Sequence, residues 1–129
     1  LPDRTVDDPT SVQRLVLCSG KVAVDAETER DRLGVPVAIA RVEQLYPWPF
    51  DAVAAELARY PNATEIVWLQ EEPENMGPWN AIKGRLYERH QETHSIRRVS
   101  RFESGSPACG SIKVHAQEHA ELLERALIL

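Results

Sequence analysis

The sequence predicts an α/β domain with a mainly parallel sheet covered by helices on both faces. Two observations carry this. Short apolar, β-branched runs alternate regularly with amphipathic stretches of helical length, in the order strand, helix, four times over. The second strand run, Val35 to Val42, is also nearly continuously apolar, as in a strand covered on both sides. The 129 residues suffice for one domain and hardly for two.

Residues 1–12 carry two prolines and no apolar period, and are expected to be a linker or entering arm; the domain is expected over 13–129. Leu15-Val16-Leu17-Cys18 is a buried-type strand closed by Ser19-Gly20. Lys21 to Leu33 has helical spacing at Val22, Ala26 and Leu33, and Gly34 follows where a helix C-terminus favours glycine. Val35 to Val42 is a second strand. Glu43 to Pro49 is a rigid loop, because Pro47 and Pro49 forbid a helix or central strand. Phe50, Val53, Ala54 and Leu57 mark a helix with Asp51 in its first turn, and Tyr60-Pro61-Asn62 ends it. Ile66 to Leu69 is the third strand, and Gln70 to Trp79 the next loop. A helix then runs from Pro78, a residue suited to a first turn, to about His90. Ser95 to Ser100 is a fourth strand, Arg101 to Gly110 a loop, and Ile112, Ala116, Ala120, Leu123 and Leu127 the stripe of a last helix.

The formal net charge of -5 argues against nucleic acid, whose phosphates need a clustered basic surface. No run approaches the length of a membrane span, and the polar, proline-containing start is not a signal peptide. Cys18 and Cys109 form no C-x-x-C pair and are expected to be reduced thiols. The first residue is not methionine, so a fragment or processed product is expected.

Four groups of residues invite chemistry. His115-Ala-Gln-Glu118-His119 matches the inverted zinc-protease motif H-x-x-E-H. Such a site takes its third ligand from a later helix, and ten residues follow His119, so no metal site is expected and the residues read as flanks of an amphipathic helix. Ser19-Gly20-Lys21 sits between a strand and a helix like the end of a P-loop. Leu15 stands where the motif needs glycine and Val22 where it needs Ser or Thr, which leaves anion binding by helix N-terminal amides and Lys21. Glu43, Glu71, Glu72 and Glu74 are loop carboxylates that read as caps and interface partners before acid/base pairs. Arg97, Arg98 and Arg101 precede a Ser/Gly loop, a second candidate anion position, though such arginines more often pair with local acids.

Leu17-Cys18-Ser19-Gly20-Lys21, Arg41-Val42-Glu43-Gln44-Leu45-Tyr46-Pro47, and Trp68-Leu69-Gln70-Glu71-Glu72-Pro73-Glu74-Asn75-Met76-Gly77-Pro78-Trp79 occur in order. Ser104-Gly105-Ser106-Pro107-Ala108-Cys109-Gly110 and Lys113-Val114-His115 follow. From about residue 12 onward the chain resembles the C-terminal, transketolase-like domain of the thiamine-dependent 2-oxoglutarate dehydrogenase component. It departs from the family pattern at Pro78 and at Ser100-Arg101-Phe102. The resemblance implies a parent enzyme that decarboxylates 2-oxoglutarate on thiamine diphosphate with magnesium and passes the succinyl group to lipoamide. It implies an assembly domain, without cofactor or turnover of its own. Its partners would be the catalytic domains, the homodimer mate and the lipoyl acyltransferase component. The compartment would be the bacterial cytoplasm, or the mitochondrial matrix in a eukaryote. Acetyl-CoA or AMP is the implied effector.

The strand ends suggest where an effector or a subunit would touch, because ligands of parallel sheets gather outside the carboxyl ends of strands. The expected contact residues are Ser19, Gly20, Lys21, Gln44, Gln70, Glu71 and Gly77, with Arg97 on the fourth strand and Arg101 in the loop that follows it. Other readings are a free-standing small-molecule or nucleotide-binding α/β protein and, far behind, a metal hydrolase using His115, Glu118 and His119.

Overall fold

The computed structural model describes residues 6–101 and 112–129, except the side chains of 112–114. The S-x-S-P-A-x-G stretch, Cys109, and the Lys113 and Val114 side chains lie outside it. Four strands and four α-helices alternate: β1 (Arg14–Cys18), α1 (Val22–Leu33), β2 (Val37–Arg41), α2 (Phe50–Ala58), β3 (Glu65–Pro73), α3 (Trp79–His90), β4 (Ser95–Arg101) and α4 (Ile112–Leu127). The strands are all parallel, in the order β2-β1-β3-β4.

That order follows from chirality. The step β1 to β2 goes one way and the steps to β3 and β4 go the other, so right-handed crossovers put α1 on one face and α2 and α3 on the opposite one. Alternate strand residues feed the two cores. Leu15, Leu17, Ala38, Ala40, Ile66 and Trp68 meet α2 and α3 through Val53, Leu57, Ile82 and Leu86. Val16, Cys18, Val37, Ile39, Val67 and Leu69 meet α1 and α4 through Val22, Ala26, Leu122 and Ala126. Both faces are covered, which explains the unbroken apolar runs. Burial pushes the Cys18 thiol up to about 12, so it behaves as a small apolar side chain.

Four sequence expectations need correction. The third strand is nine residues, not four, and takes in Gln70 to Pro73 of the expected loop. Its pairing with β4 resumes after an irregularity, with Pro73 opposite Arg101. The second strand begins at Val37 rather than Val35, because the Val37 amide donates back to the Val35 carbonyl in a tight turn. β4 extends one residue further, to Arg101. The α4 stripe holds at Leu123 and Leu127, which are buried beside Leu122 and Ala126, and fails at Ala116 and Ala120, which are exposed; the Ile112 side chain lies outside the described residues. Within the expected arm, Pro9–Ser11 form a short 3-10 turn capped by Asp8, and Val12 is buried in the core.

Two arginines hold the end of α4. Arg14, in β1, pairs with Glu65 at 2.5 Å and donates to the carbonyls of Ala126 (2.7 Å) and Ile128 (3.1 Å). Arg97, in β4, donates to the Arg125 carbonyl at 3.1 Å. Carbonyls left over at a helix C-terminus thus receive cationic donors, and Glu65 balances the charge.

At the amino ends of the strands, His90 and His94 face each other edge to face, ring centroids 6.4 Å apart. Burial, then the neighbouring His94 and Arg89 charges, holds the His90 pKa below its usual value; burial lowers that of His94. A depressed histidine pKa means that the unfolded chain takes up protons first as pH falls. Their stabilising contribution is complete above the unfolded value of about 6.5 and is lost as pH drops below it toward the folded values. We expect a lower urea midpoint at pH 5.5 than at pH 7.5. A His90→Gln variant should show a smaller fall, and an equal fall would remove His90 from the acid response.

Candidate functional site

Strand order reverses between β1 and β3, and a crevice outside the carboxyl ends of such strands is where parallel sheets bind ligands. A cleft of about 440 Å³ lies there. Lys21 and Asp25 line it from the start of α1, Glu71 from β3, and His115, His119 and Leu123 from α4. Gly20 makes the turn between β1 and α1 with φ +77°, a conformation glycine adopts without penalty, and Lys21 is the helix cap residue. Lys21 is exposed, and Asp25 stands one turn further in, half-buried.

His119 is the centre of the polar wall. Its Nε2 is 3.1 Å from Asp25 Oδ2, and its Nδ1 is 3.7 Å from Glu71 Oε1. The two histidines of H-x-x-E-H therefore have different partners. His115 lies against Arg101, whose Nη1 and Nη2 are 3.1 and 3.3 Å from the two ring nitrogens, and Glu118 is 3.7 Å from the same guanidinium.

The structure brings together Lys21, Glu71 and, through His115, Arg101. Gly20 and the half-buried Ser19 form the turn beside them. The other expected residues are elsewhere or occupied. Gln44 donates to the Pro47 carbonyl at 3.3 Å and lines a second, mostly apolar cleft of about 360 Å³ with Leu17, Ala40, Val42 and Val53. Arg97 sits toward the opposite end of the sheet on Glu65 and α4, and Arg98 pairs with Glu74 at 2.9 Å. Glu43 pairs with Arg41 at 3.3 Å.

Gln70 is buried. Its Nε2 is shared among the carbonyls of Glu72 (3.2 Å), Pro73 (2.9 Å) and Met76 (2.8 Å). Its Oε1 accepts from Trp68 Nε1 and from the Trp79 amide, both at 3.0 Å. Gly77, φ +74°, has the Glu72 carboxylate where a Cβ would stand. Gln70 and Gly77 thus shape the loop between β3 and α3. The sequence reading missed Asp25 and the partners of His119, because no spacing along the chain links positions 25, 71 and 119.

The comparisons with known proteins agree with one another. A family model described as 2-oxoglutarate dehydrogenase C-terminal matches residues 1–127. The 2-oxoglutarate dehydrogenase E1 component of Cupriavidus necator is 42% identical over 98% of this chain, which spans 13% of that protein. The Coxiella burnetii E1 component is 36% identical, with 98% of this chain and 14% of the relative covered. The mouse 2-oxoadipate dehydrogenase complex component E1 is 39% identical over 92% of this chain and 13% of its own. Among solved structures, an inactive β4 tetramer of a split-gene transketolase is similar with TM-score 0.59 and 16% identity, over 92% of this chain and 39% of that one. The fold is the expected transketolase C-terminal-like α/β arrangement. Among the described residues no helix is long and apolar enough to cross a membrane.

Replacing Gln70 by Leu strands the buried Trp68 Nε1 and Trp79 amide. We expect a loss of about 3 kcal/mol in chemical denaturation, from two unsatisfied donors at about 1–3 kcal/mol each. A loss below about 1 kcal/mol would mean that water replaces the carboxamide.

Proposed function

Because this chain belongs to the family of 2-oxoglutarate dehydrogenase C-terminal domains, we propose that it is the assembly and regulatory domain of a thiamine-dependent E1 oxidoreductase. The parent reaction is decarboxylation of 2-oxoglutarate and transfer of the succinyl group to lipoamide. The chain spans about an eighth of the length of the curated relatives it matches, and turnover is assigned to the rest of the polypeptide. Relatives include both 2-oxoglutarate and 2-oxoadipate enzymes, so the choice of substrate is also assigned there.

The observation that carries this reading is the pair of exposed side chains at one end of the sheet. Tyr46, after β2, is 84% exposed, and Met76, after β3, is 59% exposed. Both follow strand carboxyl ends, and the apolar cleft at Gln44 lies near the same end. Large apolar side chains exposed on these loops fit packing against the catalytic domains or the homodimer mate. The lipoyl acyltransferase component is the further partner of the whole enzyme. The relatives named above are E1 components, and none favours a free-standing binding protein.

Thiamine diphosphate with magnesium supplies the decarboxylation chemistry when bound to the parent enzyme. The described side chains do not fit that group. Among the described residues, the set close enough to share an ion is Asp25, Glu71 and His119. Its imidazole is a donor that magnesium does not select. The cofactor is therefore assigned to the remainder of the enzyme.

Regulation is assigned to the Lys21 side of the cleft, where the amide end of α1 and the lysine favour the phosphate of acetyl-CoA or AMP. The compartment follows the parent enzyme: cytoplasm in a bacterium, mitochondrial matrix in a eukaryote.

In the E1 enzyme carrying this chain, Tyr46→Asp with Met76→Asp is expected to weaken subunit association in sedimentation, with the far-ultraviolet circular dichroism unchanged. Undiminished association would sink the interface. Lys21→Ala is expected to weaken acetyl-CoA or AMP activation about fivefold or more, and equal affinity and activation would remove Lys21 from the site.

A further inference from the structure

We propose that Asp25, Glu71 and His119 form a binding site for one divalent transition-metal ion of zinc type, which fastens α4 to α1 and to the end of β3. Three separate elements deliver the three donors: the first turn of α1, strand β3, and the middle of α4. One donor atom from each lies within 4.8 Å of the others. Bonds of about 2.0–2.1 Å in a tetrahedral zinc site set neighbouring ligand atoms about 3.4 Å apart. Asp25 and His119, at 3.1 Å, already have that separation. Glu71, with 37% of its side chain exposed, can swing the remaining distance by rotating its own side-chain torsions.

Charge supplies the second argument. Two carboxylates face the two nitrogens of one imidazole ring. A divalent cation held by the three donors would neutralise both carboxylates. The imidazole selects zinc-type ions over magnesium and calcium. The fourth ligand position opens on the cleft, where there is room for water.

The site differs from the motif reading. H-x-x-E-H would use His115 and His119 together, whereas here only His119 takes part and His115 is engaged by Arg101. The sequence expectation of no metal site rested on the missing later ligand; the ligands come instead from earlier in the chain. No hydrolysis is assigned to it. The role is a clasp, and it stands independently of the effector assigned to Lys21.

The test is titration of the EDTA-treated protein with zinc chloride by calorimetry, with magnesium chloride as the control ion. Expected is uptake of one zinc per chain, no magnesium uptake, and a higher thermal midpoint with zinc. His119→Gln and Asp25→Asn should each weaken zinc at least as much as loss of an outer-sphere partner does, about 10–100-fold. His115→Gln should leave the affinity unchanged. Cobalt substitution should give visible d–d bands without a thiolate charge-transfer band, which separates this site from the cysteines. Any of four results would overturn the proposal: no stoichiometric uptake by the folded protein, uptake indifferent to His119→Gln, uptake lost equally in His115→Gln, or a thiolate band. A clasp closed by a proton alone would appear as His119→Gln altering acid stability with no zinc uptake, and that also overturns it.

Discussion

The carboxamide of Gln70 is the constraint on which the strand-end architecture depends. It lies in the dry region between β3 and α3, where an unpaired amide is costly. Its oxygen ties the Trp68 indole to the first amide of α3, and its nitrogen gathers three carbonyls of the connecting loop. One side chain therefore fixes where β3 stops, how the loop folds back, and where α3 starts. A residue of another length or polarity would leave several of those groups without partners. The neighbouring Gly77 is a consequence of the same folding back, because the loop closes so tightly that the Glu72 carboxylate occupies the space of a side chain.

Charge plays two different parts at the two ends of the sheet. At the amino ends, Arg14, Arg97 and Glu65 form a buried to half-buried network that terminates α4. Those groups are committed to the fold. At the carboxyl ends, Lys21, Asp25, Glu71 and His119 surround open space. The division matches the general asymmetry of parallel sheets, in which the carboxyl ends are left to function.

Much of the fold was legible because the apolar runs were long and their punctuation strong. Gly34 does end α1, with φ +66° and its amide bonded to the Arg30 carbonyl. Pro78 does precede α3. The errors fell where tertiary contacts override local pattern. Gln70 to Pro73 look like loop residues, yet they extend β3, because pairing with β4 resumes at Pro73 after an irregularity and the Gln70 side chain is satisfied internally. Ala116 and Ala120 fit a helical stripe, yet both are exposed, and among the described side chains of α4 the buried ones are Leu122, Leu123, Ala126 and Leu127. The site was legible in part. Lys21 and Glu71 follow from the strand-end rule, whereas Gln70 has the right address and a structural occupation. Asp25 and His119 are 94 positions apart and meet only because α1 and α4 share a face.

The strand order has a consequence for synthesis. β1 is an interior strand, and one of its neighbours, β3, begins about fifty positions later, with Arg14 opposite Glu65. A growing polypeptide presents Leu15-Val16-Leu17-Cys18 long before that neighbour exists. Pairing with β2 can satisfy only one side. The other side stays open, with both apolar faces of the strand incompletely covered, until the ribosome has delivered Ile66 to Leu69. An unpaired apolar strand of this kind is a target for wrong partners. Completion of the β1 pairing therefore waits for β3, and its exposure lasts until both strands have left the ribosome.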